Sequence, residues 1–197
     1  MTATTRAESL LGPVSDLGPY RRHDYERLPD EPRYELLYGR LYLTPSPTFL
    51  HQAVAAILFR RLANIAREVG GLALSAPLDV ALADHTIVQP DLLYLSAERL
   101  RQSRDGIEGA PNLVVEILSP GSVRRDRGEK LRAYAEFGAS EYWIVDPFSR
   151  QIEFLILRDG HFQVEVPLDG VYRSAVLPGI SLDLVDLWTE LENIFPS

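Results

Sequence analysis

The apolar residues of this chain follow two spacings, one typical of helices and one typical of strands. From Thr48 to Val69 they recur every three or four positions, which predicts one long amphipathic helix. Thr48 or Ser46 is suited to cap its start, and Gly70-Gly71 is suited to end it. Similar signals predict a second helix from Val123 to Phe137 and a short one from Ala97 to Gln102.

Shorter apolar or alternating runs predict strands. Two pairs form expected hairpins, one across Gly39-Arg40 and one across Asp159-Gly160. The predicted strands are residues 34–38, 41–43, 72–75, 78–82, 87–95, 112–118, 141–145, 151–157 and 161–166, with a further strand and a short helical turn up to Trp188. This order predicts a single α/β domain with a mixed sheet over residues 21–197, after a flexible tail over residues 1–20.

Composition narrows the class of protein. The chain has 197 residues, no cysteine and a formal net charge of −8. Without cysteine there is no disulfide framework and no zinc–thiolate site. No apolar run approaches the roughly 20 residues of a membrane span, and no signal-peptide pattern is visible, so we expect a cytoplasmic protein with no membrane partner. Phosphate-binding P-loop, dinucleotide-binding and serine-hydrolase motifs are all absent from the sequence.

Three carboxylates interrupt strands that are otherwise apolar. Glu116 shares a strand face with Val114 and Leu118, and neither face of that strand is polar. Asp91 lies in a similarly apolar strand, and Glu35 is a third, weaker case in the first hairpin. A carboxylate in such a place is costly unless it is paired, hydrogen-bonded or bound to a metal ion.

A cation is available close to these carboxylates. Lys130 is the single lysine of the chain, against 19 arginines, and follows Glu116 on the next predicted helix. Carboxylates on neighbouring strands suit a hard divalent cation, which can polarise a phosphoryl oxygen and activate a water molecule. Between residues 99 and 132, eight basic residues stand against five acidic ones, and this local excess suits a phosphodiester substrate.

Each candidate residue also has a structural alternative. Glu116 could be satisfied by an arginine such as Arg124 or by backbone amides, and Asp91 could be a turn former after a proline. Asp126 and Lys130 have the i, i+4 spacing of an ordinary exposed helix pair. The remaining alternatives are Glu35 as a plain hairpin residue, His51 as a packed or capping histidine, and Arg124, Arg125 and Arg127 as a solvated helix face.

Several motifs occur along the chain in a characteristic order. They are Tyr34-Glu35-Leu36-Leu37-Tyr38-Gly39, His51 at a helix start, Pro90-Asp91, Val115-Glu116-Ile117-Leu118-Ser119-Pro120, Lys130 with Tyr134, and the run from Gly138 to Pro147. Together they resemble the Uma family of restriction-endonuclease-like proteins, which belongs to the PD-(D/E)XK nuclease superfamily. The resemblance covers roughly Tyr25 to Trp188.

The resemblance implies a restriction-endonuclease-like fold, in which helices flank a mixed β-sheet core with added β-hairpins. It also implies that Asp91 is the metal-binding aspartate and Glu116 the acidic member of the second half-motif. The superfamily usually has a lysine two residues after that acid, where this chain has Leu118. Lys130 matches the lysine that Uma-type proteins have on the next helix, and Glu35 matches an early acidic residue of the site.

Together these observations predict an Mg²⁺- or Mn²⁺-dependent endonuclease that hydrolyses phosphodiester bonds in DNA, and we expect a homodimer. Asp91 and Glu116 are the expected metal ligands, with Lys130 and Glu35 as their catalytic partners. The candidate substrate-binding residues are His51, Arg124, Arg125 and Arg127. One alternative is a catalytically inactive module on the same fold that binds nucleic acid or protein. Another is a metal-dependent hydrolase of a different phosphoester.

Overall fold

A computed structural model describes residues 17–103 and 106–195 of the chain. Its helices are α1 (Arg22–Tyr25), α2 (Phe49–Glu68), α3 (Ala97–Gln102), α4 (Val123–Arg125), α5 (Leu131–Glu136) and α6 (Leu184–Ile194). Its strands are β1 (Tyr34–Leu37), β2 (Arg40–Leu43), β3 (Leu72–Ser75), β4 (Val80–Ala83), β5 (Thr86–Val88), β6 (Leu92–Leu95), β7 (Ile107–Glu108), β8 (Leu113–Ile117), β9 (Glu141–Asp146), β10 (Gln151–Arg158), β11 (His161–Glu165), β12 (Val171–Arg173) and β13 (Ser181–Asp183). A π-helical segment, Asp126–Lys130, joins α4 to α5.

The largest sheet has six strands in the order β11-β10-β9-β8-β6-β3. Only β8 and β9 run parallel in it, and the other pairs are antiparallel. All five residues of β8 are buried, as expected for a strand that is covered on both faces. One face packs against α2 and α6, and the other packs against α5 and a second sheet. The mixed α/β class predicted from the sequence is confirmed.

The second sheet has five strands in the order β2-β1-β5-β4-β7. Its β1–β2 hairpin turns through Tyr38 and Gly39, both with positive φ, one residue earlier than the sequence predicted. Gly39 lies against Gly18, so a Cβ atom on either residue would overlap the other's backbone. Residues 17–20, the end of the predicted tail, therefore pack on this turn, and residues 1–16 lie outside the described part of the chain.

The sequence predicted one strand over residues 87–95, and the structure corrects this to two. β5 ends at Val88 and β6 begins at Leu92, and the two strands belong to different sheets. Pro90 explains the break, since it has no N–H to donate to a sheet and disfavours pairing at this point. Asp91 therefore lies where the chain crosses from one sheet to the other.

The predicted helices are largely confirmed. α2 spans Phe49–Glu68 and the Thr48 side chain caps it, accepting a hydrogen bond from the His51 backbone N–H. The helix expected over 123–137 is present, but its middle is the wider π-helical turn. α6 has 11 residues, longer than the short turn expected. Within the described residues, no helix is both long and apolar enough to cross a membrane.

A buried carboxylate holds the C-terminal part of the chain against the main sheet. Glu141 on β9 has no exposed surface. Its Oε1 accepts hydrogen bonds from Trp143 Nε1 (2.6 Å) and the Tyr172 hydroxyl (2.8 Å). Its Oε2 accepts from Ser174 Oγ (2.7 Å) and from the backbone N–H of Ala175 (3.2 Å). These donors compensate for the burial of the charge and fix the segment after β12.

Replacing this carboxylate by its amide is expected to destabilise the protein. Glu141→Gln turns one acceptor oxygen into an NH₂ group that faces donors, so hydrogen bonds are lost and buried groups stay unpaired. We expect a loss of about 3 kcal/mol in the free energy of unfolding, measured by urea denaturation. The half-exposed Glu153→Gln is the matched control and should change it by less than about 0.5 kcal/mol. If Glu141→Gln lowered the free energy of unfolding by no more than Glu153→Gln does, the structural role of Glu141 would be contradicted.

Candidate active site

Asp91 and Glu116 lie opposite each other on neighbouring strands. The antiparallel register pairs Leu92 with Val115, so the next residues outward are Asp91 and Glu116. Asp91 Oδ2 accepts a hydrogen bond from the Ile117 backbone N–H at 2.7 Å, which fixes the aspartate side chain against β8. The two acidic residues that the sequence singled out are therefore brought together.

Glu116 is buried between the two sheets, with 3% of its surface exposed. Its Oε1 accepts hydrogen bonds from Lys130 Nζ (2.8 Å) and from the Tyr134 hydroxyl (2.7 Å). Both donors come from the helix that follows β8. These contacts replace the arginine or backbone partners considered from the sequence.

Lys130 connects the carboxylates of three elements. Its Nζ lies 2.8 Å from Glu116 Oε1, 2.8 Å from Glu35 Oε1 and 3.9 Å from Asp126 Oδ1. Glu35 Oε1 is also held by the Gln89 backbone N–H at 2.7 Å. Burial by itself lowers the pKa of Lys130, but the three carboxylates raise it above its usual range, so the ammonium stays charged.

Negative charge exceeds positive charge in this cluster. Burial raises the pKa of Glu116 well above its usual range, and the Lys130 charge only partly offsets this effect. Burial likewise raises the pKa of Asp126, against the opposing effects of Lys130 and Ser122. Two buried carboxylate oxygens, Glu35 Oε2 and Asp126 Oδ1, have no hydrogen-bond partner. The cluster therefore favours either proton uptake or an additional cation.

Asp126 is part of the site although the sequence treated it only as a partner for Lys130. The pair has the predicted i, i+4 spacing but is buried, whereas that spacing is typical of an exposed pair. Asp126 begins the π-helical turn, and its backbone carbonyl accepts a hydrogen bond from the buried Tyr142 hydroxyl at 3.0 Å. Such turns are frequent at functional sites.

His51 lies beside Asp91, at the first turn of α2. Its Nε2 is 3.1 Å from Asp91 Oδ2. Burial by itself lowers the pKa of His51, but the hydrogen bond and charge of Asp91 outweigh it and raise the pKa above its usual value. The His51 ring therefore contacts the Asp91 carboxylate. The backbone N–H of His51 also takes part in the cap of α2.

The three arginines proposed for substrate binding point to different places. Arg125 lies 3.7 Å from Glu35 Oε2, and its guanidinium stacks over the Tyr42 ring. Arg127 instead forms an ion pair with Glu153 at 2.5 Å, and Arg124 is exposed. These three arginines are therefore not gathered into one patch at the site.

A cavity of about 580 Å³ opens above these groups. It is lined by six of the eight residues predicted from the sequence, which are Glu35, His51, Asp91, Glu116, Arg125 and Lys130, while Arg124 and Arg127 lie outside the lining. Asp126 and Gln89 line it as well, and the sequence did not select them. For Gln89 the available signal was its place directly before Pro90-Asp91.

The carboxylates of the site supply some, but not all, of the ligands that a hard divalent cation needs. Within residues 17–103 and 106–195, no group of three His, Asp or Glu side chains is arranged to hold a metal ion unaided. Mg²⁺ commonly takes only one or two carboxylates and fills its other positions with water and phosphate oxygens. The partnerless oxygens of Glu35 and Asp126 fit such an ion, because they are buried acceptors without a positive contact at hydrogen-bond length.

Comparisons with known proteins identify the family of this chain. The sequence profile of the Uma2 family, described as "Putative restriction endonuclease", matches residues 22–185. The chain belongs to the Uma2 family. No protein with curated annotation matches it significantly. The suspected family is therefore confirmed, and the Uma2 match includes every candidate site residue.

The fold of this Uma2 protein also occurs in a solved structure. A crystal structure at 1.96 Å resolution, described as a "putative nuclease belonging to DUF820" from Anabaena variabilis ATCC 29413, matches with a TM-score of 0.73. The sequences are 20% identical, and the match covers 88% of this chain and 99% of that chain. At this identity the similarity establishes the fold.

The excess of negative charge in the buried cluster should make the stability of the protein depend on pH. The Asp126→Asn variant should show a weaker dependence. Because the pKa of Asp126 is raised above its ordinary 3.8, its contribution to stability is present below that value and is lost as pH rises through the folded pKa. The free energy of unfolding of the variant should therefore rise relative to that of the wild type as pH increases above 3.8. Urea unfolding of chelator-treated protein measures this.

Asp146→Asn provides a control with the opposite sign. Burial by itself raises the pKa of Asp146, but hydrogen bonds from Ser149 and Phe148 lower it overall. Its contribution is present above the unfolded value of 3.8 and is lost as pH falls through the lower folded pKa, so this variant should be less stable than wild type above that value and should lose the difference in more acid solution. Identical pH profiles for Asp126→Asn and wild type would contradict the buried charge excess.

Proposed function

We propose that this Uma2 protein is a nuclease that hydrolyses phosphodiester bonds in DNA with the help of Mg²⁺ or Mn²⁺. The observation that carries the proposal is the buried cluster of Glu116, Lys130 and Glu35 next to Asp91 in the cavity wall. A purely structural ion pair would not need a surplus of carboxylates that line a cavity. Membership of a family described as a restriction endonuclease agrees with this chemistry.

Asp91 and Glu116 are the proposed ligands of the cation, and the partnerless oxygens of Glu35 and Asp126 are further acceptors for the cation or its water ligands. When bound, the cation would polarise a phosphoryl oxygen and make water a better nucleophile. The Ile117 backbone N–H fixes Asp91, and Tyr134 with Lys130 fixes Glu116, so neither carboxylate has to reorganise during the reaction.

Lys130 is proposed to stabilise the charge that develops on the phosphate. An ammonium group has three N–H donors, and contacts at 2.8 Å to Glu116 and Glu35 use two of them. Asp126, at 3.9 Å, is too distant for a hydrogen bond, so one donor can serve a substrate oxygen. Arg125 and His51 line the same cavity and are proposed to contact the phosphate.

Cleavage assays with near-isosteric variants test the proposal. Asp91→Asn, Glu116→Gln and Lys130→Met each remove one charge with little change of shape. We expect each to lower the rate of Mn²⁺-dependent hydrolysis of labelled DNA by about 100-fold or more, the usual loss when a group that stabilises a transition state is removed. Circular dichroism and thermal unfolding establish that each variant is folded.

Glu153→Gln is the matched control for these variants. Glu153 is a carboxylate on the surface, paired with Arg127 and outside the cavity lining. Its variant should cleave DNA at the wild-type rate. Wild-type activity in all three folded site variants, or activity that EDTA does not reduce, would refute the assignment.

A further inference from the structure

The groups proposed to act on the phosphate lie below the protein surface. Glu35, Glu116, Asp126 and Lys130 are each at most 3% exposed. They lie in the wall of a cavity of about 580 Å³, a size typical of a pocket for one small molecule. A phosphodiester must therefore enter this cavity to reach them, and it cannot react while it lies across the outer surface.

Loops rich in proline form the rim of this cavity. Three loops contribute Pro45, Pro47, Pro77 and Pro120, and all four prolines are exposed. Proline fixes the backbone φ angle, so these loops have little freedom to move aside for a wide ligand. Helix α2 forms one wall of the cavity, to which it contributes Gln52, Ala55, Ala56 and Phe59.

Positive charge is scarce around the cavity. Among the described residues, the arginine and lysine side chains in its lining are Arg33, Arg125 and Lys130, and four carboxylates oppose them and His51. Proteins that bind duplex DNA commonly neutralise about 6–10 phosphates along the backbone. Neither Arg124 nor Arg127 adds to the lining, and the whole chain carries a net charge of −8. In the part of the chain that the structure describes, the cavity lining therefore offers no run of basic side chains along which a long duplex could lie.

The α2 wall can receive a base or a sugar. Ala55, Ala56 and Phe59 line the cavity, one to two helical turns after His51. An aromatic side chain can stack on the flat face of any nucleotide base, so such a contact does not depend on which base is present. The cavity thus combines an apolar wall for one nucleotide with charged groups at its floor.

We infer that the cavity takes the unpaired terminal nucleotide of a DNA strand, and that the protein hydrolyses the phosphodiester next to it. This inference rests on the proposed nuclease function, and it places cleavage at chain ends instead of the internal sites of the endonuclease that the sequence predicted. In the reaction a water oxygen bonds to phosphorus, the bond from phosphorus to the leaving sugar oxygen breaks, and that oxygen gains a proton. Hydrolysis needs no other co-reactant.

Substrates with and without ends test the inference. The full chain, with Mn²⁺, is given one labelled single-stranded oligonucleotide in linear form, the same oligonucleotide ligated into a circle, and its duplex with both ends closed by hairpin loops. We expect release of short products from the linear strand at a rate at least tenfold above that for the circle or the closed duplex. Equal rates would overturn the inference and leave the nuclease function standing. Cleavage of none of them would overturn both.

A variant of the α2 wall gives an independent test. Ala56→Trp fills the cavity next to the proposed nucleotide site, and Asn64→Trp places the same side chain on an exposed position of α2 outside the lining. We expect Ala56→Trp to raise the KM for the linear strand at least tenfold while thermal stability stays unchanged, and Asn64→Trp to leave KM unaltered. An unchanged KM in Ala56→Trp would contradict insertion of the chain end.

Discussion

A single buried ammonium group holds together carboxylates from three separate parts of the chain. Glu35 comes from β1, Glu116 from β8 and Asp126 from the same helix as Lys130 itself. Removing such charges from water is costly unless each has a partner, so the position of Lys130 constrains how the two sheets and the helix pack. Lys130 and Arg125 together face the three carboxylates, and the remaining negative charge favours proton uptake or a further cation.

The fold brings these residues together through the connection between its two sheets. Pro90 ends one strand and lets the chain cross to the next sheet, which places Asp91 opposite Glu116. The backbone of Gln89, just before this crossing, holds Glu35 of the second sheet. The crossing at residues 89–91 therefore interrupts regular strand pairing and also links the proposed metal ligands to the rest of the site.

Much of this arrangement could be predicted from local sequence. The cap at Thr48, the hairpin turn at Asp159-Gly160 and the acidic residues inside apolar strands all have local causes. Burial of Asp126 could not be predicted, because its spacing from Lys130 is the same as in an exposed pair and only the packing of the helix distinguishes the two. Which of Arg125 and Arg127 lines the cavity also depends on how the helix is rotated about its own axis. The π-helical turn that sets this rotation has no clear sequence signal.

Calorimetric titration of Mn²⁺ into chelator-treated protein at neutral pH tests the charge excess most directly, without any substrate. Near-complete loss of binding is predicted for Glu116→Gln, and binding equal to that of the wild type for Glu153→Gln. Both variants must first be shown to be folded. The account predicts saturable binding by the wild-type protein, since the carboxylates of Glu35, Glu116 and Asp126 outnumber the cationic groups beside them, and hard cations prefer oxygen ligands. Absence of binding by the wild type, or undiminished binding by Glu116→Gln, would contradict it.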